Sequence, residues 1–208
     1  FFDLLDTYGT DAVRFTYAAL SAPGSDVALA PGRLEGSRAF ANKIWNAARF
    51  ARPHLEKGTL TALPAKEQLS EADRWILSRC SRVAADANEA LGNYRFDEAA
   101  GVVYHFAWHE LCDWYLEMIK PALFSGGDAS AQTARAVLGH VLDRVLLMLH
   151  PFMPFITEEL WQSLPQAAST PPRPVSIALA TFPVGEPEFH DPVAESAMQM
   201  VMENVTVR

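Results

Sequence analysis

Apolar residues recur at intervals of three and four along most of this chain, which is the spacing of one face of an α-helix. The spacing is clear from Thr10 to Leu20, and Thr10 with Asp11 is typical of a helix start. It predicts further helices over 34–52, 70–92, 96–120 and 131–150, and a short one after the proline elbow at 151–154, in which Phe155 is expected to face inward. This succession predicts an all-α fold, an antiparallel bundle of four main helices with flanking pieces.

Proline, glycine and short polar runs separate these segments. The helix over 34–52 is expected to end by Pro53, and the helix over 96–120 by Pro121. Ser70 followed by Asp73 is typical of an N-cap with a first-turn acid. Residues 165–174 are too rich in proline for regular structure, whereas the next segment, SIALATFP, is expected to be one strand or an extended arm.

Bulk composition narrows the class of protein. Half of the 208 residues are hydrophobic, which is enough for a sizeable core, yet no run of about 20 apolar residues indicates a membrane span. The two cysteines are too few for a disulfide framework, so a cytoplasmic location is expected. The first residue is not methionine, and the sequence is interpreted as a piece of a longer chain.

The helix over 34–52 carries an unusual polar face. Wound at 100° per residue, it puts apolar side chains on one broad side and cations and amides on the other. Phe50 breaks this division, because it falls within the polar arc, close to Lys43 and Asn46. The polar arc is formed by Arg38, Asn42, Lys43, Asn46 and Arg49.

Charge is distributed unevenly along the chain. The whole sequence has a net charge of −8, but residues 33–57 contain six cations against two carboxylates, a net charge of +4. A basic stripe on an acidic background is what contact with phosphates requires. Arg38, Lys43 and Arg49, with Arg33 at the helix start, are therefore candidate RNA-binding cations.

The remaining polar-face residues fit single-stranded RNA. Asn42 and Asn46 would hydrogen-bond base edges, and Phe50 would offer a ring for an unstacked base, a contact worth roughly 1–3 kcal/mol. Duplex DNA is not favoured, because no helix-turn-helix or zinc-finger spacing accompanies the stripe. Two alternatives remain open. The helix could be a bundle helix whose polar face is exposed to solvent and has no binding role, or it could belong to a structural module that docks another protein through this helix.

Catalytic and metal-binding motifs are weak in this sequence. His105 and His109 have the i, i+4 spacing of zinc ligands, with Cys112 and Asp113 nearby, so a metalloenzyme is the remaining alternative. However, Glu110 follows the second histidine rather than the first, unlike a zincin motif. Neither a phosphate-binding glycine loop nor a nucleophile elbow is present, so no catalytic residue and no metal ligand is assigned.

Several long motifs resemble one known family. DLLDTYGTDAVRFTYAAL, ANKIWNAARF, DRWILSR, YRFDEAA, CDWYLEMIKP and HPFMPFITEELW are together similar to the anticodon-binding region of bacterial-type valyl-tRNA synthetases, class I enzymes. The resemblance runs from about Leu4 to Pro183. The related isoleucine enzyme is the nearest alternative of the same class.

The resemblance implies that the chain consists of three segments with different roles. Residues 1–32 would be a stem-contact segment that follows the catalytic domain, 33–165 the anticodon-binding bundle, and 166–208 a closing arm with the start of a C-terminal helix. The implied partner is the tRNA for valine. Valine, ATP and Mg²⁺ would be used only by the catalytic domain of the parent enzyme, which is expected to be a cytoplasmic monomer.

Overall fold

A computed structural model describes residues 2–22, 24, 29–57, 62–125, 127–165 and 172–206. The described part is almost entirely helical and contains no strand, so the predicted all-α bundle is confirmed. None of the described helices is both long enough and apolar enough to cross a membrane. The α-helices are α1 (Phe2–Tyr8), α2 (Thr10–Leu20), α3 (Pro31–Leu55), α4 (Glu71–Gly92), α5 (Phe96–His105), α6 (Leu116–Ser125), α7 (Asp128–Leu149), α8 (Pro154–Ser163) and α9 (Pro192–Thr206).

A π-helical segment, Phe106–Tyr115, joins α5 to α6 without a break, so that 96–125 forms one long helix. π-Helical turns hold more residues per turn than α-helical ones and therefore rotate everything downstream relative to an ideal α-helix. The predicted end at Pro121 is wrong, because the helix continues to Ser125.

Local signals explain the starts of α3, α4 and α8. Ser70 caps α4: its hydroxyl accepts a hydrogen bond from Asp73 N at 3.1 Å, and the Asp73 carboxylate accepts one from Ser70 N at 3.1 Å. Pro31 and Pro154 occupy the first helical positions of α3 and α8, where a missing N–H costs nothing. The N-cap predicted at Ser70 is confirmed, and the reciprocal bond from Asp73 makes it a capping box.

The core lies between α3, α4, the 96–125 helix and α7. Helices α3 and α4 pack their apolar stripes inward, and α7 is buried along most of its length. Phe40 lies against Tyr104 and Trp108, and Phe50 lies near Phe124, so α3 runs in the same direction as the 96–125 helix. The largest fully buried side chains include Trp75, Tyr115, Phe40 and Phe106.

Three local predictions need correction. Helix α3 passes Pro53 and ends at Leu55, because buried His54 and Leu55 hold the last turn in place. Phe155, expected to point inward, is 66% exposed, since it falls about 160° around α8 from buried Thr157. The segment SIALATFP forms no strand; its backbone is extended at both ends and makes a 3₁₀ turn at Ile177–Leu179.

The two ends of the chain are tied to the bundle by long-range polar contacts. Asp11 of α2 accepts hydrogen bonds from the N–H groups of Phe155 and Ile156 at 3.2 and 2.7 Å and so caps α8. The Ser81 hydroxyl of α4 donates to Glu186 O and accepts from Glu186 N at 2.9 and 2.7 Å. Most of 165–174, predicted to be irregular, lies outside the described residues.

Candidate functional site

The outward face of α3 brings together three of the predicted RNA-binding residues. Asn42, Asn46 and Arg49 are exposed and share one side of the helix, because they are spaced four and three residues apart. Within the part of the chain that the structure describes, their side chains make no hydrogen bond or ion pair. Two amides and a guanidinium are therefore available to a partner from outside the chain.

Trp45 lies on the same face and was not identified from the sequence. Its ring is 43% exposed, next to Asn46 and one turn from Arg49. A tryptophan counts as apolar in a periodicity argument, so the pattern alone assigns it to the core. The signal that could have found it is its helical phase, about 60° from Asn42 and away from the buried stripe.

The other three predicted cations have different surroundings. Arg38 is exposed, but it donates a 3.2 Å hydrogen bond to the carbonyl of Thr7 at the end of α1. Lys43 forms an ion pair with Asp113, and its ammonium lies 4.5 Å from the centre of the Trp108 ring. Arg33 falls about 180° around α3 from Asn42 and lines a cavity of about 320 Å³ beside α2. Arg33 is thus not part of the outward face.

Phe50 is half-buried rather than outward-facing, which corrects the placement expected from the wheel. Its ring centre lies 5.1 Å from that of His54 and 6.4 Å from that of Phe124 on α6. The reason is the position of α6, which covers the flank of α3 about 80° from Asn42. Phe50 therefore borders the outward face instead of standing in its middle.

The 96–125 helix supplies the second side of this surface. His109, Asp113, Lys120 and Phe124 follow one another along its edge next to α3. His109 and Asp113 belong to the π-helical segment, whose extra rotation sets the phase at which Asp113 meets Lys43. No local sequence signal distinguishes a π-helical from an α-helical segment here, so this edge could not be placed from the sequence.

Positive charge surrounds the aromatic end of the surface. Burial lowers the pKa of the His54 imidazole below its usual value, and the charges of Lys57 and Arg135 lower it further. These two cations make no ion pair within the described residues, whereas Lys120 is held by Glu117 at 2.6 Å. The C-terminal end of α3 is accordingly a basic region with two aromatic rings, Phe50 and Phe124.

The metal-binding alternative finds little support in the geometry. The His105 and His109 rings lie 4.8 Å apart, and His109 Nδ1 is 3.3 Å from the Asp113 carboxylate, which also holds Lys43. Burial raises the pKa of the Cys112 thiol to about 12, so this cysteine is a poor thiolate donor. Within the described ranges no three His, Cys, Asp or Glu side chains are placed to hold a metal ion.

Comparison with known proteins identifies the family and the fold. Residues 73–208 match the family described as the anticodon-binding domain of tRNA ligase. The valine–tRNA ligases of Geobacter sulfurreducens and Syntrophotalea carbinolica are 52% and 46% identical over 201 residues, 96% of this chain. The chain spans 22% of the length of both. A solved structure, the Agrobacterium radiobacter K84 agnB2 LeuRS in a ternary complex with tRNA and LeuAMS, shares the fold at a TM-score of 0.67 and 15% identity, over 91% of this chain and 21% of that one.

Proposed function

Because this chain belongs to the anticodon-binding domain family of tRNA ligases, we propose that it holds the anticodon arm of the tRNA for valine within a valine–tRNA ligase. The observation that carries the proposal is the outward face of α3. Asn42, Asn46 and Arg49 stand there in solvent without a partner among the described residues, beside the exposed ring of Trp45. Amides, a guanidinium and an aromatic ring are the groups that bind unstacked RNA loops.

Each of these side chains has a role that follows from its chemistry. Arg49 binds a backbone phosphate, since its guanidinium donates in a fork that matches phosphate oxygens. Asn42 and Asn46 donate to and accept from base edges. Phe50 supports a base at the rim of the face, where its ring is still partly accessible.

Lys43 acts together with its partner. The carboxylate of Asp113 neutralises the Lys43 ammonium locally, so the pair offers a donor beside an acceptor rather than a lone positive charge. Arg38 is held near α1 by its hydrogen bond to Thr7, so its remaining N–H groups would serve a phosphate on that side. Arg33 would serve RNA approaching from the side of α2. Both are thus secondary contacts.

The same proposal extends to the other segments of this chain and to its parent protein. We propose that 1–32 contacts the tRNA stem, that 33–165 binds the anticodon arm, and that 166–208 closes the bundle. Valine, ATP and Mg²⁺ are used in a catalytic domain outside these residues, and the parent is a cytoplasmic monomer. The packing of α9 against α4, through buried Ala194 and Met198, supports a closing role for the last segment.

The test is a titration of the 208-residue chain with RNA stem-loops at low salt. One loop carries the valine anticodon, a second has its central anticodon base changed, and a third carries the isoleucine anticodon. We expect tighter binding of the first loop, with an affinity that falls as salt rises. The Arg49→Gln variant should bind the first two loops more weakly, because it removes a phosphate contact without removing buried surface.

Three outcomes would contradict the proposal in different ways. Equal affinity for the first two loops would mean that the α3 face is only an electrostatic cradle. Tighter binding of a loop with the isoleucine anticodon would assign the chain to the isoleucine enzyme. Absence of binding by a folded chain would remove the RNA-binding role and favour docking of another protein.

A further inference from the structure

Phe124 is the most exposed aromatic side chain at the basic end of the site. It lies in the last turn of α6, and 66% of its surface is accessible, whereas Phe50 is half-buried. An exposed phenylalanine contributes little to the stability of the core, because its apolar surface stays in water. This position therefore has no evident packing role that a smaller residue could not fill.

The geometry of the ring leaves room for a planar partner. Phe124 meets His54 at a ring distance of 4.9 Å and an angle of 89°, and it meets Phe50 at 6.4 Å and 54°. Neither neighbour is stacked parallel to Phe124, so a parallel stacking position on it is unused within the described residues. The contact with His54 also supports the ring from below, since His54 itself is buried.

Cations lie around His54, the buried ring that Phe124 contacts. Lys57, two residues after α3, and Arg135 of α7 are both near enough to His54 to lower its pKa. Lys120 is one turn before Phe124 and lies 5.9 Å from the centre of the Phe50 ring. The carboxylate of Glu117 is engaged by Lys120. A ring in a positive field is complementary to a nucleotide, which combines a planar base with a phosphate.

We propose that Phe124 is a second base-stacking platform, on which one nucleotide of the bound RNA loop stacks while Arg135 and Lys57 hold its phosphate. This inference rests on the proposed function and extends the RNA surface from α3 across to α6 and α7. Sequence reasoning missed it because the three residues come from three segments that are far apart in the chain. An acidic peptide that docks on the same cations would not need the ring, which distinguishes the two partners.

The test compares two phenylalanines of equal exposure. Phe155 is also 66% exposed, but it lies at the start of α8, next to Asp11. This site is at the far end of α7 from Arg135, because the fifteen residues from Arg135 to His150 span about 22 Å of helix. Binding of the valine stem-loop is measured for the wild type, Phe124→Ala, Phe124→Trp and Phe155→Ala. The loop carries 2-aminopurine at each unpaired position in turn, and the fluorescence quenching of each is recorded.

We expect Phe124→Ala to weaken binding by about 5- to 150-fold, the range of one lost base–aromatic stack. Phe124→Ala should also abolish the fluorescence quenching at one particular loop position. Phe124→Trp keeps an aromatic ring and should retain both the affinity and the quenching. Arg135→Gln should flatten the dependence of log K on log salt by about 0.7. Phe155→Ala should bind like the wild type.

The outcomes separate this inference from the proposed function. If the wild type binds the loop and Arg49→Gln weakens it, but Phe124→Ala binds within twofold of the wild type, this inference alone is overturned. Equal losses in Phe124→Ala and Phe155→Ala would overturn it as well, since the effect would not depend on position. If the folded wild type binds no loop, both are overturned.

Discussion

Lys43 of α3 and Asp113 of the π-helical segment form an ion pair across the candidate RNA surface, although they are 70 residues apart in sequence. Their side chains are 28% and 38% exposed, so the pair is accessible to a partner and screened by solvent. The pair contributes little to stability. Its main consequence is electrostatic, because it cancels one positive charge where α3 meets the 96–125 helix.

Asp113→Asn is expected to strengthen binding of RNA that lacks the cognate anticodon. The change removes a carboxylate that repels phosphates and releases Lys43 to contact one. The slope of log K against log salt should steepen by about 0.7, which is the value for one additional phosphate contact on single-stranded RNA. Titration of the loop with the altered anticodon at several salt concentrations measures both quantities.

The matched control is Glu203→Gln, which changes the net charge by the same amount at an exposed position near the end of α9. It should leave the slope unchanged. An equal increase in both variants would show that net charge alone, and not the release of Lys43, is responsible.

Tyr115→Phe is expected to destabilise the bundle by about 1–3 kcal/mol. The Tyr115 hydroxyl donates a 2.7 Å hydrogen bond to the Asp73 carboxylate, and both side chains are buried. The variant would leave one buried carboxylate oxygen without a donor. Urea unfolding at pH 7 measures the loss, and a change below about 0.5 kcal/mol would mean that water replaces the hydroxyl.

His140→Gln is expected to reduce the loss of stability on acidification. Burial, helped by the charge of Arg144, lowers the pKa of His140 from 6.5 to about 4. Between these two pKa values the imidazole binds a proton in the unfolded chain but not in the folded chain. The contribution of His140 to the free energy of unfolding is therefore complete above pH 6.5 and is lost as the pH falls towards 4. Arg144, Phe189 and, at 3.8 Å, Glu186 face this imidazole.

Unfolding free energies at pH 7 and pH 5 for the wild type and His140→Gln measure the effect. The wild type should lose more stability than the variant over this interval, by about 1–2 kcal/mol. Identical losses would show that other groups account for the acid sensitivity.

Asp11→Ala is expected to cost about 1 kcal/mol, the typical value for a lost helix cap. Its carboxylate accepts hydrogen bonds from the N–H groups of Phe155 and Ile156 at the start of α8, and among the described residues no other side chain caps that helix end. Asp6→Ala on exposed α1 serves as the control, because it removes the same charge without a cap. Thermal unfolding of both variants is compared, and equal shifts would contradict the capping role.

Local patterns predicted much of the fold, and the errors have physical causes. The capping box at Ser70 and the helical stripes depend only on neighbours within one turn, so they can be read from the sequence. The predicted stops at Pro53 and Pro121 were wrong, because burial of the flanking apolar residues outweighs the lost hydrogen bonds. Phe155 was misassigned, because its short helix buries only one narrow stripe.

The sequence by itself determined the all-α class, the basic face of α3 and the exposed positions of Asn42, Asn46 and Arg49, since the phase of a straight helix follows from residue spacing alone. Only the tertiary structure decided that Lys43 meets Asp113, that Phe50 lies against α6, and that Phe124 remains exposed. These relations depend on how helices far apart in sequence cross, and on the extra rotation of the π-helical segment. The spacing of apolar residues within one helix specifies neither the helix crossings nor this rotation.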